Sequence, residues 1–140
     1  MTDPVPASLP VPPYYAVVFT AVRTAGDNGY GEMDERLFKL AADQPGFLGV
    51  DAARGANGLG ITVSYWRDED SIAAWRNHAE HALARAYGRE HWYASFSLHV
   101  AKVERAHAFT RPADTWALLR SVRRAWARGV RRCPSTWAGC

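Results

Sequence analysis

Two tryptophans and a handful of histidines carry the chemistry this sequence offers. Trp66 and Trp75, nine residues apart, flank a strand-to-helix junction in the stretch GITVSYWRDEDSIAAW. They are the first candidates for a pocket wall, although large aromatics on an apolar stripe also serve as plain core. His78 and His81, three apart, can in principle share a metal. An unbroken helix, however, puts His78 at the edge of the apolar stripe and His81 roughly opposite it, so His81 is expected to be solvated. No third histidine or acidic side chain stands at a ligand spacing, and no metal site is expected. His99 shares a strand face with Ser95, Ser97 and Ala101, small polar neighbours that suit either a pocket or a hydrogen-bonded surface histidine. His91 and His107 have no supporting pattern.

The elements that must position these residues follow from periodicity. Ile61, Val63 and Tyr65 alternate with Thr62, Ser64 and Trp66, the pattern of a half-buried strand. Asp68 suits an N-cap, with Glu69 and Asp70 in the first turn of a helix. Ile72, Trp75, Ala79, Ala82, Leu83 and Ala86 then make one stripe, running to a break or bend at Tyr87-Gly88. Upstream, Tyr14 to Val22 is an apolar, β-branched run expected as a central strand covered on both faces. After the loop Gly26-Asp27-Asn28-Gly29, the spacing of Met33, Leu37, Leu40 and Ala41 predicts a helix ended by Gln44-Pro45-Gly46. Phe47 to Arg54 reads as a strand, joined through Gly55-Ala56-Asn57-Gly58 to the next in an antiparallel hairpin. Tyr93 to Val103 is the last strand, with Ala94, Phe96, Leu98 and Val100 on one face.

Strand, helix, strand, strand, helix, strand is the α+β ferredoxin-like order: a four-stranded antiparallel sheet with two helices on one face. The other face carries apolar side chains too. A second copy of the chain is the economical cover, so a homodimer is expected.

Length and composition bound the rest. With 140 residues, 48% of them hydrophobic, the chain can bury one core. Residues 1–13 hold Pro4, Pro6, Pro10, Pro12 and Pro13 and are expected to form an extended, mobile leader, with structure starting at Tyr14. Residues 14–110 form the domain and 111–140 an extension. Residues 1–110 carry 10 basic and 13 acidic side chains, whereas 111–140 carry seven arginines and one aspartate. The basic pI therefore describes the tail, and nucleic-acid binding is not implied for the body. In the tail, Trp116, Leu119, Val122, Trp126 and Val130 recur among arginines as a basic amphipathic helix. It can meet acidic lipid, nucleic acid or the acidic body of the protein itself; packing on the body is the simplest of these. Without a membrane-length apolar run or a signal-like N-terminus, and with both cysteines (Cys133 and Cys140) near the end, a cytoplasmic protein is expected.

The run PGFLGVDAARGANGLGITVSYWRDEDSIAAWRNHAEHALARAYGREHWY, followed by AKVERAHAF, resembles the antibiotic biosynthesis monooxygenase family, over about residues 14–110. That resemblance implies a dimeric α/β barrel in which two sheets face each other and each protomer keeps a cleft between sheet and helices. Some relatives oxidise polycyclic quinol-like substrates with dioxygen and no cofactor; others bind and degrade haem.

For cofactor-free oxidation, Trp66, Trp75, Tyr14 and Phe19 are the expected cavity, with His78, Tyr93 or His99 handling the proton. Arg85 is a further candidate, for a carboxylate or a substrate anion. For haem, Trp75 matches the relatives' helix tryptophan, but the iron-ligand position falls on Arg85 and the strand Tyr14–Val22 lacks the relatives' asparagine. Ligation then falls to His78 or His81. The expected function is thus oxidation of a phenolic or quinol-like small aromatic by dioxygen, with haem chemistry as the alternative. The competing class is a non-catalytic ligand-binding dimer, whose cleft side chains fill.

Overall fold

The computed structural model describes residues 4–111 and residue 120. The chain runs β1 (Tyr14–Arg23), α1 (Tyr30–Ala42), β2 (Phe47–Arg54), β3 (Leu59–Trp66), α2 (Glu69–Asn77), α3 (Ala79–His91) and β4 (Tyr93–Val103). The strands form one antiparallel sheet in the order β2-β3-β1-β4. This is the α+β ferredoxin-like arrangement, with three helices where two were expected.

The extra helix comes from a break at His78, whose backbone leaves the helical region at φ −57°, ψ 130°. Its carbonyl accepts from Ala82 N, so α3 starts afresh on a new axis. Of the expected break or bend at Tyr87-Gly88, no break occurs, because α3 runs on to His91. Gly88 serves close packing instead: a Cβ there would lie 3.0 Å from Tyr93 and 3.1 Å from Trp92.

Register assigns the two sheet faces. Trp66 stacks on Trp75 of α2, so it marks the helix-covered face. Its alternates Ser64 and Thr62 share that face, as do their cross-strand partners Val17 and Phe19 on β1 and, beyond those, Val100 and Leu98 on β4. Ala21 and Phe96 extend the row. The other face carries Ile61, Val63 and Tyr65 with Ala16, Val18 and Thr20 of β1 and Ala101, His99 and Ser97 of β4. On β3 the alternation thus points its more apolar side away from the helices, whereas β4 turns Phe96, Leu98 and Val100 toward the helix side.

The junctions follow local chemistry. Asp68 caps α2 as expected: its carboxylate accepts from Ser71 N at 2.8 Å and from Ser71 Oγ at 2.6 Å. Bonds from Ser71 and from the Arg67 guanidinium hold its pKa down at about 2. Gly46, at φ +82°, closes the entry to β2; a Cβ there would meet Ser71 Oγ at 2.0 Å, so this position accepts only glycine. On α1, Arg36 pairs with Glu80 and ties the helix to α3.

Residues 4–13 form no helix or strand, but structure does not wait for Tyr14. Ala7 N donates to Asp51 Oδ1 at 2.7 Å, and Ala7 and Leu9 lie over Gly49, where a Cβ would come within 3.1 and 3.2 Å of them. Asp51 also accepts from the Tyr65 hydroxyl at 3.1 Å. The leader therefore packs on the β2–β3 half of the outer face.

The chain divides into two compact units, Met1–Ala106 and His107–Cys140. In the second, residues 107–111 have no regular structure and Arg120 is helical. The expected amphipathic helix rests on residues outside those described. Among the described residues no helix is long and apolar enough to cross a membrane.

Candidate functional site

The helix-covered face holds two clusters of rings. At the C-terminal end of β3, Trp66 is 1% exposed and packs edge-on against Phe47 at 5.4 Å. Its indole N–H donates to Ser64 Oγ at 2.9 Å, which satisfies the polar edge of a buried ring. Trp75 stacks on it at 6.4 Å and continues the pile onto His81 at 4.4 Å, with an interplanar angle of 9°. His78 flanks Trp75 at 5.5 Å. At the other end, Phe19 lies 5.4 Å from Tyr93 and 5.5 Å from Phe96, and Tyr93 meets Tyr30 at 6.1 Å.

The break at His78 brings His81 into the site, contrary to the expectation that it would be solvated. An uninterrupted helix would have turned it outward; the restarted one lays it on Trp75. Its Nδ1 sits 3.0 Å from the Trp75 carbonyl oxygen. A carbonyl only accepts, so Nδ1 carries the proton and Nε2 keeps its lone pair. Burial pushes the His81 pKa down, only partly offset by that bond, and the nearby Arg85 guanidinium pushes in the same direction. The ring is thus held neutral, in one tautomer. His78 Nδ1 is buried and has no hydrogen-bond partner.

The remaining expected site residues fall in three places. Trp66, Trp75 and His78 come together as described. Phe19 and Tyr93 share the same sheet face but belong to the second ring cluster. Burial, with the nearby Tyr30 hydroxyl, drives the Tyr93 pKa far up, so its phenol is a standing donor and not a base. Tyr14 and His99 lie on the outer face: Tyr14 is buried edge-on to Tyr65 at 6.0 Å, and His99 is exposed opposite Val18. The register therefore separates these two from the tryptophans by the thickness of the sheet.

Arg85 lies on the edge of α3 that continues from His81 at i+4, and Arg89 follows at i+8. The Arg85 guanidinium donates to the Arg76 carbonyl at 3.3 Å, and that of Arg89 stands 5.8 Å over the Phe96 ring. Beneath this edge the helices leave β4 open: Phe96, Leu98 and Val100 are 44%, 54% and 46% exposed. The ring pile lies under α2, while beside α3 these three side chains form an exposed apolar strip.

Two shallow concavities lie elsewhere. One, of about 290 Å³, surrounds the N-terminus of α2, where Asp68 is already committed to capping. The other, of about 270 Å³, is lined by Thr20, Val22, Leu59, Ser95 and Ser97 of the outer face together with Ala21 and Phe96. Among the described residues, no three His, Cys, Asp or Glu side chains gather as a metal site.

His81 is the residue that periodicity missed. The signal was in the sequence: with a helix restarted after Asn77-His78, the positions 81, 84, 85 and 88 fall on one face, and Ala84 and Gly88 are the small residues that let that face approach the sheet.

Comparison with known proteins agrees with this architecture. The protein YqjZ of Bacillus subtilis, itself uncharacterised, is 56% identical over 100 residues, spanning 71% of this chain and 88% of its own. Among solved structures, protein SO0527 from Shewanella oneidensis superposes with a TM-score of 0.60 at 9% identity, covering 71% of this chain and all of that one. Rv0793 from Mycobacterium tuberculosis gives 0.56 at 14% identity, over 71% of this chain and 98% of its own. Such low identities speak for the fold alone. Residues 18–87 match the profile described as antibiotic biosynthesis monooxygenase. With half its length in that profile, the chain belongs to the antibiotic biosynthesis monooxygenase family.

Proposed function

We propose that this protein is a monooxygenase that works without a cofactor, oxidising a small phenolic or quinol-like aromatic with dioxygen in the cleft between α3 and β4. The observation that carries this is the stack of Trp75 on a neutral, half-buried His81 whose Nδ1 is engaged by the Trp75 carbonyl. That geometry leaves Nε2 as a base of fixed direction beside an aromatic surface. It removes the substrate's acidic proton. The resulting anion gives one electron to dioxygen, and the substrate radical and superoxide join as a C–O bond. The peroxide then collapses: one oxygen stays as a carbonyl, the other leaves as water, and the substrate carbon supplies the two electrons and its remaining hydrogen. No external reductant is needed.

Haem chemistry fits these residues poorly. Arg85, at the position where the resemblance puts the iron ligand, is a permanent cation without a lone pair to give. His78 buries its Nδ1, which leaves the Nε2 lone pair of His81 as the nitrogen that haem would have to take from the proposed base.

The outer sheet face supports a homodimer. Leu59 and Ile61 are 41% and 45% exposed there, on the apolar side of the β3 alternation, and a second sheet packed face to face would remove them from water.

Oxygen-electrode assays with 1,8-dihydroxyanthrone, in the presence of a chelator and with no flavin or haem added, test this proposal. Enzyme-dependent uptake is expected, with kcat/KM falling roughly tenfold or more in Trp75→Ala as an aromatic contact is lost. Uptake that needs added haem or flavin, or that is indifferent to Trp75→Ala, would overturn it.

A further inference from the structure

Three arginines crowd one side of the cleft. Arg85 and Arg89 lie one turn apart on the same edge of α3, and Arg85 reaches back to the Arg76 carbonyl at the end of α2. Among the described residues none of the three is paired with a carboxylate; the ion pairs there are Arg36–Glu80, Arg67–Asp68 and His91–Glu90. Like charges held together without a counter-ion are unfavourable, and partial burial makes them more so. An anion arriving among them would relieve that repulsion.

The surroundings say what kind of anion. Along this edge, His81 stands at the first ring cluster and Arg89 over Phe96 of the second, so the row spans eight residues, about 12 Å at the helical rise. Below it runs the exposed strip Phe96, Leu98 and Val100. A flat molecule of two or three fused rings matches that length. With its rings on the strip and against Trp75, a carboxylate at its rim would meet the guanidinium row.

Resting on the function proposed above, we infer that the substrate is an aromatic acid: a phenol or quinol whose ring system carries a carboxylate, gripped by Arg85 with Arg89 and Arg76 beside it. A planar guanidinium fork suits a carboxylate in two-point contact, which also fixes the orientation of the phenol toward His81.

Isothermal titration calorimetry with two probes tests this, using 1-hydroxy-2-naphthoate and the uncharged 1-naphthol at neutral pH. The carboxylated probe is expected to bind roughly tenfold or more tightly than the naphthol, as charge-assisted hydrogen bonds typically allow. Arg85→Gln should remove most of that ratio without weakening 1-naphthol, whereas Arg85→Lys, which keeps the charge but not the fork, should retain part of it. Arg89→Gln should lower the ratio less. Far-UV circular dichroism shows whether each variant is folded. Equal binding of the two probes, or a ratio untouched by both glutamine variants, overturns the aromatic-acid inference while leaving the aromatic cleft in place. Binding of neither probe overturns the inference and the cleft together.

Discussion

The two faces of one sheet have been put to opposite uses. On the helix side, β3 presents Thr62, Ser64 and Trp66, two of them polar, and the fold builds a pile of rings over them. On the outer side the same strand presents Ile61, Val63 and Tyr65, and no helix covers them. Half of that outer surface carries the leader, fixed by Asp51 between Ala7 and Tyr65. A strand that turns its polar side toward its own helices gives the ring pile a hydrogen-bond acceptor, as Ser64 does for the Trp66 indole. A strand that turns its apolar side outward asks for a second sheet.

The sharpest way to break that contrast is to remove the ring at its centre. Trp66→Ala should cost roughly 3–5 kcal/mol in urea denaturation, the range for deleting a buried large aromatic. On the other face, Tyr65→Phe removes only the hydrogen bond to Asp51 and should cost about 0.5–1.5 kcal/mol. Should the outer-face change prove the larger, the core does not lie where the ring pile puts it. Gly46→Ala comes next, because the added Cβ meets Ser71 at a left-handed backbone position; a loss of more than about 1 kcal/mol is expected.

Ile61→Arg addresses the outer face directly. The side chain is 45% exposed, so the stability of a single chain should change by no more than about 0.5 kcal/mol. Sedimentation should nevertheless shift from the mass of a dimer to that of a monomer. An unchanged dimer would place the interface elsewhere.

A smaller effect concerns His81 and pH. Its folded pKa lies below the ordinary histidine value, so the unfolded chain takes up a proton first as pH falls. The stability this residue contributes is therefore full above about pH 6.5 and declines as pH drops through the window below it, levelling off under the folded pKa. Thermal melts of His81→Gln between pH 7 and 5 should show a flatter profile than those of the unaltered protein.

Much of the fold could be read from residues alone. The β2–β3 hairpin, the alternation of β3 and β4 and the Asp68 cap all follow from short-range chemistry, and the structure has each where periodicity put it. What was hidden depends on contacts distant in sequence. Gly88 looks like a helix stop but is small because Tyr93 and Trp92 press on it. The leader looks like a free tail because its partner, Asp51, sits on a strand some 44 residues away. His78 breaks the helix without a glycine or proline to announce it, and that break decides which histidine faces the tryptophans. The pairing of Tyr14 and His99 with the outer face was equally hidden, since a two-residue period says which side chains go together and not which side the helices choose.

The most direct measurement compares one histidine from each face: oxygen uptake with 1,8-dihydroxyanthrone by His81→Gln and His99→Gln. With His81 as the base, its replacement should lower kcat by about 10²–10⁴-fold and abolish the acidic limb of the pH–rate profile. His99→Gln should leave both the rate and the profile as they were. Full activity in His81→Gln, or a loss confined to His99→Gln, would contradict the assignment of the chemistry to the helix-covered face.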